Sequence, residues 1–221
     1  MSSKRLVDLS HVLYHDMPIH PWMPQVLVSE YISREQSAKF LADGVSFSMV
    51  QVTMPGSTGT FLQAPFQYHE DGPDIGSVPL NQLVDLPIVV VAAEGQDKIG
   101  PELFEECGDL AGAAVLVRTG HDRYWGTEPF YEHTCYLTAE AAKFLIDARP
   151  ALVGIDSKSV DNGADQAKPV HHGLLGAGIV ILTSVTRLER LPARGALLTV
   201  LPVPARGMGS FPVRAVATVE S

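Results

Sequence analysis

The feature that most constrains the fold is a set of short apolar runs rich in β-branched residues. Residues 86–93 (LPIVVVAA) are apolar throughout and form the longest such run. A continuous run of this kind is typical of a strand that is covered on both faces. It is far shorter than the roughly 20 residues needed to cross a membrane. Residues 113–119 and 178–182 are predicted as further buried strands.

The remaining pattern alternates strands with helices. Residues 138–147 are the clearest helix, because Thr138 suits the N-cap and Ala142, Leu145 and Ile146 form an apolar stripe. A shorter helix is predicted from Pro101 to Cys107. Further strands are predicted at residues 6–13, 26–32, 45–54, 152–155, 196–201 and 213–219. The alternation predicts an α/β fold, and the excess of strands indicates a mixed sheet or partial barrel with flanking helices.

Composition and charge narrow the class of protein. With 46% apolar and 19% charged residues in a chain of 221, we expect one globular domain over residues 1–221. The net charge of -9 and the lack of basic runs argue against nucleic-acid and membrane partners and favour a small-molecule substrate. Two cysteines, Cys107 and Cys135, do not make a disulfide framework, and the polar N-terminus is no signal peptide. We therefore expect a cytoplasmic protein.

The segment PGSTGTFLQAPFQ at residues 55–67 directly follows the strand predicted at 45–54. It resembles the signature H-x-G-T-H-x-D-x-P-x-H of the metal-dependent cyclase family, which includes bacterial kynurenine formamidases and isatin hydrolases. Gly59, Thr60 and Pro65 stand at the Gly, Thr and Pro positions of that signature. The resemblance continues in the expected order along nearly the whole chain, at residues 8–11, 70–73, 117–120, 137–142, 153–161, 171–181 and 209–215.

The resemblance implies the family's swivelling β/β/α-type cyclase fold and a homo-oligomer, either a dimer or a tetramer. It also implies metal ligands at positions where this chain lacks the usual donors. The family's His, His, Asp, His and Glu are replaced here by Ser57, Phe61, Gln63, Gln67 and Thr183. Divalent zinc or manganese needs imidazole or carboxylate donors. We therefore expect no family-type catalytic metal and no other cofactor.

His171 is the candidate catalytic residue. It matches the family's general-base histidine by resemblance, and an imidazole titrates near neutral pH. The alternative is a hydrogen-bonded structural histidine. A rebuilt metal site would use His69, His171 and His172. If His171 and the adjacent His172 lie on a strand, their side chains point to opposite faces, which argues against such a site.

The other candidates would line a substrate pocket. Ser57 is either a nucleophile activated by His171 or a small residue that fills vacated ligand space, and its flanking sequence is not a nucleophile elbow. Phe61 offers an aromatic surface for a planar substrate. The complete set of predicted substrate-binding residues is Ser57, Phe61, Gln63, Gln67, Thr183, His172, Trp22 and His20.

Three functions fit the sequence. The first is a metal-independent enzyme of specialised-metabolite biosynthesis, a cyclase, dehydratase or isomerase that uses pocket shape and His171 as acid and base. The second is an amide or lactam hydrolase like kynurenine formamidase or isatin hydrolase, with a rebuilt metal site. The third is a non-catalytic homologue that binds a small molecule.

Overall fold

The computed structural model describes residues 4–220, which form two compact units. One unit consists of the N-terminal segment through His11 together with the chain from Gly56 onward. The other is Val12–Pro55. The single domain over residues 1–221 stays a prediction. None of the helices in the described part is long and apolar enough to cross a lipid bilayer.

The strands and helices are short, as the many turn residues predict. In residues 4–220 the strands are β1 (Lys4–Asp8), β2 (Leu27–Ile32), β3 (Met49–Thr53), β4 (Phe61–Gln63), β5 (Leu86–Ala92), β6 (Lys98–Ile99), β7 (Ala114–Arg118), β8 (Tyr136–Leu137), β9 (Leu152–Ile155), β10 (Val180–Thr183), β11 (Ala196–Pro202) and β12 (Ser210–Glu220). The α-helices are α1 (Arg34–Ala38), α2 (Glu102–Glu105), α3 (Glu128–Glu132), α4 (Ala139–Ala148) and α5 (Pro169–Gly176). The 3-10 turns are Pro65–Gln67, Leu80–Gln82, His121–Tyr124 and Leu188–Arg190.

The larger unit contains a closed, mixed sheet. Strands β5, β7, β9 and β10 are neighbours and run parallel, and β4 is antiparallel to β10. The long strand β12 closes the sheet, because its first residues pair with β4 and its later residues pair with β11. Strand β1 is added along β12 outside the ring. The predicted α/β class, with a mixed sheet or partial barrel, is confirmed.

Two apolar cores lie on opposite faces of this sheet. Along β7, Leu116 belongs to the core enclosed by the barrel, whereas Val115 and Val117 belong to the core packed against the helices. This division follows from the two-residue period of a strand, which sends successive side chains to opposite faces. We call the second side, which carries α4 and α5, the outer face. The prediction that the apolar runs are covered on both faces is confirmed.

The helix predicted at residues 138–147 is confirmed as α4. The sequence pattern does not predict α5. Thr138 is the N-cap of α4, and its hydroxyl accepts a hydrogen bond from the backbone N–H of Ala141. The assumption that His171 and His172 lie on a strand is wrong, because they lie in α5. Pro169 in the first turn has no N–H to satisfy and is preorganised for a helix, so it favours a helix start.

The smaller unit contains an antiparallel two-stranded ribbon, β2 with β3, and the short helix α1. The N-cap of α1 is Ser33, which forms a reciprocal capping box with Gln36. On one face of the ribbon, Val50 and Val52 are 53% and 52% exposed. A two-stranded ribbon is only marginally stable in water by itself.

Candidate functional site

Three of the altered ligand positions, Phe61, Gln63 and Thr183, lie on the outer face at the junction of β4 and β10. Phe61 pairs directly with Thr183, and Gln63 pairs with Ile181. Directly paired residues of antiparallel strands share a face, and Ile181 belongs to the outer core. Phe61, Gln63 and Thr183 therefore lie on that face as well. They are buried, with 8%, 2% and 0% exposure.

The turn before β4 is held by hydrogen bonds from its Gly-Thr pair. Gly59 has a positive φ of 67°, a conformation that glycine adopts without strain. The Thr60 hydroxyl donates to the carbonyl of Ser184 at 2.6 Å and accepts the backbone N–H of His11 at 3.0 Å. The retained residues of the signature thus fix the turn against the end of β10.

Ser57 lies in this turn and contacts the start of β12. Its hydroxyl is 2.9 Å from the hydroxyl of Ser210, which pairs with Gln63. Gly56 is needed beside it, because a Cβ at that position would lie 2.5 Å from the carbonyl oxygen of Ser210. The bond to Ser210, rather than to an imidazole, favours the space-filling role of Ser57 over the nucleophile.

His171 is buried in the first turn of α5 and forms a close pair with Asp161. Its Nδ1 is 2.6 Å from Oδ2 of Asp161. The same carboxylate accepts the backbone N–H groups of Val170 and His171, each at 2.9 Å. Asp161 therefore caps α5 from the preceding loop, because Lys168 at the cap position makes no side-chain cap bond within residues 4–220. The carboxylate of Asp161 therefore both caps α5 and binds the imidazole of His171.

The pair fixes the proton position on the imidazole. Burial opposes the charge on Asp161, but the hydrogen bonds from the His171 side chain and from the two backbone N–H groups outweigh it and lower the pKa of that carboxyl. An ionised Asp161 can only accept, so Nδ1 of His171 carries the proton in the neutral ring. Nε2, the nitrogen outside this bond, then has a free lone pair and can accept a proton.

Contacts from α5 to the segment after β4 bring His171 to the end of the signature. The ring of Tyr68 stacks on that of His171, with centroids 5.1 Å apart and planes 16° apart. Nε2 of His69 lies 2.9 Å from the carbonyl oxygen of His172. The side chain of His172 is exposed and contacts the ring of His69, with centroids 4.6 Å apart. Two of the predicted residues, His171 and His172, are thus placed beside the signature segment.

The remaining predicted site residues are Gln67, His20 and Trp22. Gln67 is exposed, and its backbone packs so closely on Gly209 that a Cβ there would lie 2.6 Å from the Gln67 Cα. His20 and Trp22 belong to the smaller unit, where their rings are 5.2 Å apart. Their assignment to the substrate pocket stays a prediction.

Asp156 lies at the exit of β9 and is almost fully buried. It accepts the backbone N–H groups of Thr119 and Gly120 and the hydroxyl of Thr119 at 2.5–3.0 Å. Burial raises the pKa of Asp156 to about 6, although these donors oppose the shift. Thr119 also lines a cavity of about 320 Å³, together with His121, Arg123 and other residues. This cavity shares none of its lining with the predicted site residues that the structure describes.

Three buried polar atoms near the β4–β10 junction have no hydrogen-bond partner among the described residues. They are Nε2 of Gln63, Oγ1 of Thr183 and Oγ of Ser157. Ser157 follows β9, and its carbonyl accepts the N–H of Ser184 at 3.0 Å, so it lies beside the end of β10. Leaving a buried donor unsatisfied costs about 1–3 kcal/mol, and native proteins satisfy nearly all of them. Sequence reasoning missed both Ser157 and Asp161.

The residues at this junction do not fit the divalent metal that the family resemblance implies. Phe61 has no donor atom, and Gln63 and Thr183 offer only neutral groups with unpaired atoms. Zinc and manganese sites use imidazole, thiolate or carboxylate ligands. Within residues 4–220, no group of three or more His, Cys, Asp or Glu side chains is arranged to hold a metal ion.

Sequence comparison identifies the family. A family model described as "Putative cyclase" matches residues 7–162. The chain belongs to the Cyclase family. The matched range includes the altered signature at residues 55–67 as well as Asp161, and it ends before α5.

Two similar proteins align with most of the chain. A kynurenine formamidase of Bacillus cytotoxicus is 27% identical over 216 residues, which is 98% of this chain and 98% of that protein. A kynurenine formamidase of Geobacillus thermodenitrificans is 31% identical over 175 residues, 79% of this chain and 81% of that protein. Both similar proteins are thus named as enzymes, and both as formamidases.

A solved structure with the same fold is an isatin hydrolase bound to the product analogue thioisatinate. It aligns with a TM-score of 0.86 at 22% identity and covers 99% of this chain and 93% of that chain. At this level of identity the similarity establishes the fold alone. The predicted cyclase fold is thereby confirmed.

Proposed function

We propose that this Cyclase-family protein is a metal-independent enzyme that moves a proton on a small organic substrate. Cyclisation, dehydration and isomerisation are the reactions that fit, because each can proceed by substrate folding and proton transfer. Specialised-metabolite biosynthesis is the role that suits a family member whose metal ligands are replaced. We place the protein in the cytosol, consistent with its two free cysteines, Cys107 and Cys135.

The observation that carries this proposal is the buried Asp161–His171 pair. A carboxylate bound to Nδ1 holds the imidazole in one tautomer and one orientation, which leaves Nε2 as the base. The same carboxylate also stabilises the imidazolium that forms when Nε2 takes a proton. Because Asp161 is itself held by two backbone N–H groups of α5, the pair is rigid before any substrate binds.

A hydrolase is the second candidate, and two observations favour it. The similar proteins from Bacillus and Geobacillus are named kynurenine formamidases. In addition, a histidine that ligates a metal commonly donates its other nitrogen to a carboxylate, as His171 does to Asp161. Against this candidate stand Phe61, Gln63 and Thr183, which supply no anionic or imidazole ligand.

Elemental analysis distinguishes the two candidates. Purified protein, dialysed without chelator, is expected to hold far less than one transition-metal ion per chain.

Exchange of the α-protons of acetophenone and cyclohexanone for deuterium in D₂O, followed by proton NMR, reports proton abstraction without knowledge of the natural substrate. We expect this exchange to be unaffected by EDTA. About one retained metal ion per chain, with exchange or amide hydrolysis abolished by EDTA, would establish the hydrolase instead. Absence of any turnover would favour the non-catalytic homologue.

We further propose that the protein is a homo-oligomer that covers the exposed apolar face of the β2–β3 ribbon. Val50 and Val52 lie two residues apart and therefore share this face. Contiguous exposed apolar surface commonly marks a protein–protein contact. A dimer or tetramer would bury these side chains.

Changing Val50 and Val52 together to lysine is expected to reduce the oligomer to a monomer, because the charges would have to be buried in the contact. Size-exclusion chromatography with light scattering measures the mass. Gln51→Lys is the matched control, since Gln51 is exposed on the other face of the same strand. A wild-type mass for the double variant would contradict this assignment.

A further inference from the structure

The three unpaired polar atoms at the β4–β10 junction belong to side chains that are almost completely buried. Gln63 is 2% exposed, and Thr183 and Ser157 are fully buried. Gln63 carries an unpaired Nε2, and the two hydroxyl oxygens also lack a partner within the described chain. Polar groups buried in this way are normally hydrogen-bonded to protein, to an ordered water or to another bound molecule.

The register of β4 and β10 places Gln63 and Thr183 side by side. Gln63 pairs with Ile181, and Thr183 lies two residues further along β10. Gln63 and Thr183 are therefore diagonal neighbours on the outer face, at a spacing of about 7 Å between Cα atoms. Ser157 lies at the end of the adjacent parallel strand, tied by its carbonyl to the N–H of Ser184.

The chemistry of these side chains selects the group that they would bind. An amide nitrogen offers only donors, and a hydroxyl can donate. Phe61, which pairs with Thr183, supplies an apolar wall, and the side chains of Gln63, Thr183 and Ser157 carry no positive charge that could balance a buried anion. Burying a carboxylate without a counter-charge is costly, whereas a neutral carbonyl oxygen needs only hydrogen-bond donors.

We propose that Gln63 and Thr183, with Ser157 beside them, bind the carbonyl oxygen of a neutral substrate, a ketone or another uncharged carbonyl compound that carries a proton on the neighbouring carbon. This inference rests on the proposed function and names its substrate class. When Nε2 of His171 removes a proton from the carbon next to the carbonyl, the electron pair of that C–H bond forms a C=C bond, and the π pair of the C=O bond moves onto the oxygen. The neutral donors then stabilise the oxyanion. Return of the proton from His171 to another atom of the substrate completes an isomerisation, with no further reactant.

The test compares Thr183→Val and Gln63→Met, which keep the size of the side chains. Thr186→Val is the matched control, because the Thr186 hydroxyl donates to Asp122 at 2.8 Å. We expect Thr186→Val to lower the melting temperature by about 2–4 °C. Thr183→Val is expected to leave it unchanged or raise it, since it removes an unsatisfied group.

Binding is measured by ligand-observed NMR with benzamide as the neutral carbonyl probe and benzoate as the anionic probe. Wild-type protein is expected to prefer benzamide, and Thr183→Val and Gln63→Met are each expected to weaken that binding about ten-fold. Wild-type affinity for benzamide in both variants, a preference of the wild type for benzoate, or no binding at all would overturn the inference. So would a melting temperature for Thr183→Val as low as that of Thr186→Val.

The results for the His171, Thr183 and Gln63 variants together distinguish a failure of the carbonyl site from a failure of the acid–base function. If His171→Ala abolishes deuterium exchange while Thr183→Val and Gln63→Met bind benzamide normally, the acid–base function stands and the carbonyl site is refuted. If the variants lose benzamide binding while His171→Ala retains full exchange, the carbonyl site stands and the role of His171 is refuted.

Discussion

Replacing His171 with alanine is expected to lower the rate of deuterium exchange by about 100- to 10,000-fold, the usual contribution of a general acid or base. The physical reason is the loss of Nε2, the proton acceptor whose lone pair is freed by the bond from Nδ1 to Asp161. Proton NMR of acetophenone in D₂O measures the rate. Affinity for benzamide is expected to stay close to that of the wild type, because Gln63 and Thr183 are intact.

The matched control for this substitution is His133→Ala. His133 is exposed and lies outside the β4–β10 junction, so its loss removes an imidazole without touching the Asp161–His171 pair. Far-UV circular dichroism checks that the His171 variant keeps the overall secondary structure of the wild type. A folded His171→Ala protein that exchanges protons at the wild-type rate would show that the imidazole is structural.

Much of the barrel can be predicted from the sequence, because several of its strands are recognisable from a short run of apolar residues. The run at residues 152–155 matches β9 at both ends, since continuous apolar residues define a strand buried on both faces. The first strand is harder to delimit. The pattern predicts it over residues 6–13, but it ends at Asp8, whose carboxylate accepts the N–H of Ser10 at 3.1 Å. This local bond competes with the strand ladder and turns the chain.

The site is predictable only in part, because its residues meet through the closure of the sheet. The resemblance groups Phe61 and Gln63 with Thr183, and the pairing of β4 with β10 brings them to one junction. No sequence pattern predicts Asp161 as the partner of His171. It caps a helix that begins eight residues later, and no local spacing rule links a loop carboxylate to such a distant helix start.

Asp161→Asn is expected to reduce exchange by about 100- to 10,000-fold while the fold is retained. The amide can still accept a backbone N–H of α5 through its oxygen. Its nitrogen then donates to Nδ1 of His171, so the proton of the neutral ring moves to Nε2. A protonated Nε2 cannot act as a base. Nitrogen-15 shifts of the labelled imidazole measure the tautomer directly, and Asp165→Asn, an exposed change in the same loop, is the control.

The same substitution has a defined effect on stability and on its pH dependence. Loss of charge-assisted bonds to two backbone N–H groups and to Nδ1 is expected to cost about 2–3 kcal/mol at pH 7. Because the pKa of Asp161 is lower in the folded protein than in the unfolded chain, its carboxylate stabilises the fold above the unfolded value of about 4. That contribution is lost as the pH falls through the lowered folded-state pKa.

The amide that replaces the Asp161 carboxylate does not ionise in this range, so the stability difference between wild type and Asp161→Asn should narrow as the pH is lowered below about 4. Urea unfolding at a series of pH values from about 3 to about 7 measures the difference. A difference that stays constant over this range, together with an unchanged Nδ1–H tautomer and wild-type exchange, would show that Asp161 caps α5 without directing His171. If the stability difference narrows at low pH and the variant also loses deuterium exchange, the carboxylate of Asp161 has both roles. It stabilises the start of α5, and it keeps Nε2 of His171 free to accept a proton.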